Sequence, residues 1–528
     1  MKKTSIILGA LLLAMPVAAQ DIYKVESFAS RDLIGTARYV GMGGAMNALG
    51  ADLSTLHTNP AAAGLFRRSD ASISLSMLAN PGAEKFDGIS PARMSFDQMG
   101  FVYSTNTGDD GLKFLNFGMN YQKSRNLKNY IGLSGIPVPG GLSQSWQMTN
   151  LADYYGQWDD GSNHWVSPIA HAGWNSYMID QDAEENFVGC DADSYSYERV
   201  QYGGVQAFDF NVSMNFDDRW YIGATIGAYN VNWNSYLLYR ESLMDDQGGT
   251  HPYKMINDER ITGSGFDVKL GFIGRPIEDN PFRFGLSIAT PTWFDLTGNN
   301  ILTMDSPFVV DEGQTHTISG VETDDFDYRV TTPWTFGVSL ATTVEDWLAV
   351  DVEYEYKDFT GASVRYPDAY DPYVDRSLYA HSRKDRALGY EIDKYLTGVS
   401  TFRVGAEAKL ADGCYLRAGY NYVSKPFKDN ALMNLYSGYD NNIGDSDGVI
   451  NTTGTDYVNL SATNRLTLGL GLRGKHWYGD LGYQYQIQSA DVYAFQNFDA
   501  DNTRTNLLPK QTVDLDRHSV TLTVGYKF

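Results

Sequence analysis

Residues 465–473 read RLTLGLGLR, and residues 519–528 read SVTLTVGYKF. In the first, Leu466, Leu468, Leu470 and Leu472 alternate with Arg465, Thr467, Gly469, Gly471 and Arg473. In the second, Val520, Leu522, Val524, Tyr526 and Phe528 alternate with Ser519, Thr521, Thr523, Gly525 and Lys527. Successive side chains of a strand face opposite ways, so each stretch is a strand with one apolar and one polar face. The same pattern returns from Leu348 to Tyr356 and from Phe208 to Phe216.

Working outward, such stretches lie near 71–79, 96–104, 112–122, 204–216, 219–232, 261–274, 281–296, 326–343, 346–358, 398–411, 413–423, 461–474, 476–488 and 516–528, fourteen in all. Their connections alternate strictly between short and long. The long ones are 80–95, 123–203, 233–260, 297–325, 359–397, 424–460 and 489–515. Short turns at one end and long loops at the other are the pattern of an outer-membrane barrel. Aromatic residues follow the short turns at Trp220-Tyr221, Phe282, Trp347, Tyr415 and Trp477-Tyr478, as one interfacial girdle requires. The expected fold class is therefore all-β, a 14-stranded antiparallel transmembrane barrel, with the loops extracellular. Its polar face, including Asp209, Asp267, Lys269, Arg283, Asp351, Glu353, Arg403, Glu407, Arg417, Arg465 and Arg473, is expected to line the lumen.

Composition agrees. The 528 residues carry a net charge of −23, with 52 Gly and 13% aromatics. The acid excess excludes the basic footprint of a nucleic-acid binder. Two cysteines, Cys190 and Cys414, exclude a disulfide scaffold or a Cys-rich metal cluster. Residues 1–20, MKKTSIILGALLLAMPVAAQ, have a basic start, a short apolar run and small residues at the end, the form of a secretory signal. No later stretch has 18 consecutive apolar residues, so a helical membrane protein is excluded. The expected location is the outer membrane.

Residues 21–70 do not alternate. They read as short helices and Gly-rich turns, with YVGMGGAMNALG at 39–50 and Asn59-Pro60-Ala61-Ala62-Ala63-Gly64 after it. Asn59 suits an N-cap, Pro60 the first helical position and Gly64 the helix end. A segment of this size, rich in small residues, fits inside a 14-stranded lumen. The expected organisation is a signal peptide at 1–20, a plug at 21–70 and a barrel at 71–528.

In its small-residue stretch and its Asn59-Pro60-Ala61 triplet before GLFRRSD (64–70) and the first strand, the chain resembles the FadL/TodX family of outer-membrane transporters for long-chain fatty acids and aromatic hydrocarbons. The segments FGLSIATPTWFDLT (284–297) and TPWTFGVSLA (332–341) also look like barrel strands of that family. The resemblance implies that residues 21–70 are a hatch, with Asn59, Pro60 and Ala61 in the hatch turn. It implies an apolar ligand caught by the long loops and bound in an apolar pocket above the hatch. Passive passage follows, by hatch movement or through a kink in an early strand, with lateral release through the wall. The terminal strand ending at Phe528 resembles the signature read by the barrel-assembly machinery. The remaining partners implied are a hydrophobic small molecule and outer-membrane lipid, with no cofactor and no metal. Loop 123–203 is unusually long and rich in Trp, Tyr and Asp, which leaves the ligand contacts unassigned.

Other chemistry has little support. Gly469, Gly471 and Gly474 form GxGxxG, but in an alternating strand and its turn rather than between a strand and a helix. His164 and His171 are not at a metal-ligand spacing. Asp440, Asp445 and Asp447 do not fit the twelve-residue calcium loop. No catalytic residue is assigned. Two alternatives stay open: a porin for polar solutes, and a surface receptor, for haem for example, that uses the long loops.

Overall fold

A computed structural model describes residues 21–86, 90–109, 111–155, 167–245, 248–309, 314–323, 325–367, 382–433, 435, 452–495 and 508–528. The export signal at 1–20, His164 and the Asp440–Asp447 stretch lie outside these residues.

The strands close into a 14-stranded antiparallel barrel. They are β1 (Asp70–Ala79), β2 (Ala92–Asn106), β3 (Leu112–Asn126), β4 (Ala192–Phe216), β5 (Trp220–Met244) and β6 (Thr250–Gly274). Then come β7, in two pieces (Arg283–Ala289 and Trp293–Ser306), β8, also in two (Phe326–Thr331 and Thr335–Val344), and β9 (Leu348–Asp358). The last are β10 (Gly398–Ala411), β11 (Cys414–Val423), β12 (Thr463–Arg473), β13 (Trp477–Ile487) and β14 (Arg517–Lys527). Each pairs with its neighbour in sequence, and β14 pairs back onto β1 from Lys527 opposite Asp70 to His518 opposite Ala79. Closure removes sheet edges, which lipid cannot solvate. In the tight β4–β5 connection, residues 217–219, Asp217 and Asp218 both take left-handed φ, 54° and 55°, as the central residues of a type I′ turn do.

The inside and outside follow the alternation. Leu470 is 51% exposed, whereas Thr467, on the opposite face of β12, is 3% exposed. Leu522 lies outside with it, and the charged residues expected in the lumen, from Asp209 to Arg473, face inward. Trp220, Trp347 and Trp477 project outward at the short-turn end.

Three strands are much longer than the alternation indicated. β4, β5 and β6 each have 25 residues. The reason is visible on β5. Its outward residues are Trp220, Ile222, Ala224, Ile226 and Ala228, then Asn230, Asn232 and Asn234. Its inward residues change the other way, from Gly223, Thr225 and Gly227 to Val231, Trp233, Leu237, Tyr239 and Leu243. Below the switch the outer solvent is lipid. Above it the outer solvent is water, so the apolar side must turn in. The apolar outer run of β5 covers roughly 26 Å of strand, or about 20 Å of height at the usual tilt, close to a bilayer core.

Above the membrane these strands therefore wall a water-facing lobe with a core of its own. Tyr195, Tyr197, Tyr239, Tyr253, Met255 and Leu302 form part of that core. The 123–203 connection supplies the rest with α3 (Gln144–Tyr155) and α4 (Pro168–Asn175), and a three-stranded sheet (Tyr457–Leu460, Ser489–Tyr493, Gln511–Asp514) closes the other side. Among the described residues, much of what the sequence reading gave as long loops is strand and helix.

β7 and β8 are each broken where the sequence reading ran them straight through. The breaks are Thr290-Pro291-Thr292 and Thr332-Pro333-Trp334, and proline removes a ladder donor at each. Threonine hydroxyls fill in: Val268 N–H donates to Thr290 Oγ1 at 3.0 Å and Thr292 N–H to Thr332 Oγ1 at 2.8 Å. β9 breaks at the same level in a 3-10 turn (Phe359–Gly361), and Ser363–Pro367 then pairs with the upper half of β8. The resemblance implied a kink in an early strand; the row of three breaks lies instead at β7–β9. In the early strands the irregularities are register shifts, at Ser74/Leu75 of β1 and at Leu112/Phe114 and Lys123/Arg125 of β3.

Candidate functional site

Residues 21–66 lie inside the barrel. α1 (Ile22–Ala29) starts at Asp21, whose carboxylate accepts the Tyr23 and Lys24 amides, each at 2.8 Å. α2 (Ala37–Gly41) is capped by Thr36. Two 3-10 helices follow, Leu53–His57 and Pro60–Leu65. The second is capped by Asn59, whose Oδ1 accepts the Ala61 amide at 3.2 Å, with Pro60 at the first position. Asn59, Pro60 and Ala61 are fully buried against β5 and β6. The contact exists because the wall has glycines there. A Cβ on Gly223 would overlap the Pro60 carbonyl, and one on Gly271 would overlap the Asn59 side chain.

The wall holds the plug through acidic and basic side chains. Glu353 Oε1 accepts the Met46 amide at 2.7 Å and the Asn47 amide at 2.6 Å, and its Oε2 accepts Asn47 Nδ2 at 2.9 Å. Asp351 Oδ2, two residues down the same face of β9, accepts the Ala48 and Leu49 amides at 3.0 Å each. Arg38 of α2 makes a two-pronged bond to Glu407 at 2.9 Å, and Glu407 also accepts from Arg417. His57 Nδ1 lies 2.9 Å from Asp209, which also meets Lys269 at 3.2 Å. Buried charges of both signs are tolerable only in such paired arrangements. Asn59 joins the set: its Nδ2 donates to the Asn47 carbonyl at 3.0 Å, and Asn47 Oδ1 accepts from Thr58 Oγ1 at 2.5 Å.

Above the plug is a cavity of about 190 Å³. The resemblance implied an apolar pocket here, and the structure corrects that. Eight Lys or Arg and six Asp or Glu side chains border it. One cluster joins Arg125, Arg465 and Arg517 around Asp32, with Arg465 3.3 Å from the carboxylate. Burial opposes ionisation of Asp32, but these three guanidinium groups outweigh it and hold the carboxyl below its ordinary value. Arg517 itself donates to the backbone carbonyls of Asn126 and Lys128, at 3.4 and 2.7 Å. A second cluster joins Arg403 to Glu355 at 3.1 Å, with Lys357 3.7 Å from Glu355. The apolar part of the lining is both aliphatic, as at Leu237, Val399 and Leu460, and aromatic. Tyr23 packs between Phe427 and Tyr457, ring centroids 4.8 and 5.4 Å away, and Lys24 sits 5.9 Å over Trp233.

Sequence reading placed Asn59, Pro60 and Ala61 in one turn and many of these charges on the inner wall. It did not pair them. Asn47, the glycines Gly223 and Gly271, and the partner of each carboxylate carry no local signal, because these contacts join different strands or join the plug to the wall, as Asn47 to Glu353 across 306 residues. His171 lies on α4 and is half-buried. Gly469 and Gly471 are residues of β12, as an alternating strand requires.

No family model matches the sequence, and no curated protein matches it. Solved structures do. A Pseudomonas aeruginosa FadL homologue is 12% identical, with 95% of this chain and 100% of that chain covered and a TM-score of 0.52. The Pseudomonas putida toluene transporter TodX is 13% identical, covering 94% and 99%, with a TM-score of 0.48. The Ralstonia pickettii toluene transporter TbuX is 13% identical, covering 94% and 98%, with a TM-score of 0.47.

Proposed function

We propose that this chain, which has the barrel fold of the FadL homologue, is an outer-membrane transporter for passive uptake of hydrophobic compounds, gated by the plug as a hatch. The observation that carries the reading is a closed barrel whose lumen is occupied by residues 21–66 beneath a bordered cavity. An occupied lumen weighs against an open porin. The proposed hatch turn is Asn59-Pro60-Ala61.

Within that class, the ligand is an amphipathic carboxylate such as a long-chain fatty acid rather than a neutral hydrocarbon. Cations exceed acids by two around the cavity, in a chain whose net charge is −23. Arg517 donates its hydrogen bonds to backbone carbonyls, in a cluster where three guanidinium groups share Asp32, so positive charge is left over there for a ligand anion. Aromatic groups at Tyr23, Phe427 and Trp233 suit the chain of such a ligand.

The test is uptake into proteoliposomes that carry the purified protein. Oleate should enter faster than through protein-free vesicles, and Arg517→Ala should slow it. Toluene flux should not change with that substitution. Equal oleate entry with and without protein would end the transport reading. Equal loss of both fluxes in Arg517→Ala would end the carboxylate reading.

A further inference from the structure

We infer that Arg403 is the residue that reports occupancy of the cavity to the hatch, through Glu353 and Asn47 to Asn59. The inference rests on the transport reading above and adds its regulation. The path is a continuous set of hydrogen bonds. Arg403 lies at the cavity wall and divides its guanidinium between two carboxylates of β9, with one nitrogen 3.2 Å from Glu353 and another 3.1 Å from Glu355. Glu355 borders the cavity. Glu353 is below it and holds three N–H groups of residues 46 and 47. Asn47 in turn holds the hatch turn, by its carbonyl to Asn59 and its amide oxygen to Thr58.

One face of β9 thus has two jobs. Lys357 and Glu355 face the cavity, and Glu353 and Asp351 grip the plug. Among the described residues, Arg403 is the one that bonds to both halves, from the facing position on β10. Its charge is what makes the grip affordable in free energy. Glu353 and Asp351 are buried carboxylates two residues apart on one face, at 2% and 0% exposure. A buried anion deprived of its counter-charge is strongly destabilised. A ligand carboxylate entering the cavity competes with both glutamates for Arg403. As Arg403 turns toward the ligand, Glu353 loses its compensation, its bonds to 46–47 weaken, and Asn47 releases Asn59. The ligand therefore favours the released state through a difference in contacts, as any shift in population requires.

Conductance of the full-length protein in planar bilayers tests this without reference to a natural ligand. Arg403→Gln keeps hydrogen bonding but removes the charge. It should raise open probability by about tenfold or more in the absence of any ligand, since about one decade corresponds to a single weakened buried contact. Arg403→Lys should restore most of the closure. Glu353→Gln should also leak, and the double variant Arg403→Gln/Glu353→Gln should leak no more than Glu353→Gln, because both act on one contact. Oleate should open the wild type and leave Arg403→Gln unchanged, and oleyl alcohol should open neither.

Wild-type conductance in Arg403→Gln, or additive leaks in the double variant, overturns the inference. If Arg403→Gln does not assemble, judged by heat-modifiable gel mobility, Asn47→Ala leaves the wall intact and must leak; a closed Asn47→Ala overturns it equally. A wild type deaf to oleate whose Arg403→Gln variant still leaks keeps the relay and removes the carboxylate ligand instead.

Discussion

Ile226 and Asn232 project from the same face of β5, six residues apart, and meet different solvents. Ile226 is 58% exposed within the apolar band, and Asn232 is exposed above it. Arginine on the lipid face near the bilayer midplane costs about 2–4 kcal/mol, and little in water. Ile226→Arg should sharply lower the fraction of barrel assembled in lipid vesicles, and Asn232→Arg should match the wild type. Equal yields would mean that the polarity switch at residues 229–231 is not the membrane boundary.

The plug can be removed. Deleting residues 22–66 takes out the groups that fill the lumen while leaving every barrel strand. The expected result is a heat-modifiable barrel with conductance raised by an order of magnitude. The milder Asn59→Ala removes a helix cap worth about 0.5–2 kcal/mol and should raise conductance less, without loss of assembly. A truncated barrel that assembles yet conducts like the intact protein would refute the gating role.

Glu241 makes the lobe sensitive to pH. It lies above the membrane, buried, with Tyr239 Oη at 2.8 Å and the Gln144 amide at 3.1–3.2 Å. Burial pushes its carboxyl up to about 8, although those two bonds favour the ionised form. The folded lobe therefore holds a proton that the unfolded chain releases above about 4.5. Its contribution is complete below that value and is lost as the pH rises toward 8. Limited proteolysis of the connection around α3 should speed up between pH 5 and pH 9. Glu241→Gln should abolish the change and protect the lobe at pH 9 by on the order of 1–3 kcal/mol. Parallel pH profiles for the two proteins would rule this out.

Cys190 is in the extracellular connection before β4, and Cys414 begins β11 at the short-turn end. A hydrocarbon core of about 30 Å separates such ends, far beyond disulfide reach. On intact cells, a membrane-impermeant thiol reagent should modify Cys190 and leave Cys414 untouched. Labelling of Cys414 alone would invert the topology.

The barrel is legible in the chain's local patterns. Period-2 alternation, strict long-and-short connections and the girdle aromatics are local, and a strand's two faces are written in its own residues. The Asn59-Pro60-Ala61 turn was legible for the same reason, since capping acts over two or three positions. The lobe was only half legible. Its strands reverse their polarity at residues 229–231 of β5, so one alternation rule splits each of them into a strand and an apparent loop. The breaks at Pro291 and Pro333 were written in the chain but masked by apolar residues on both sides. The pairing of charges is written nowhere in the local pattern and follows from the folded arrangement. Which carboxylate holds Met46 and Asn47, which arginine bridges Glu353 to Glu355, and whether the cavity is apolar or ionic depend on side chains brought together from distant strands. Coulomb and hydrogen-bond energies fall with distance in space and are blind to distance along the chain, so no local pattern records them.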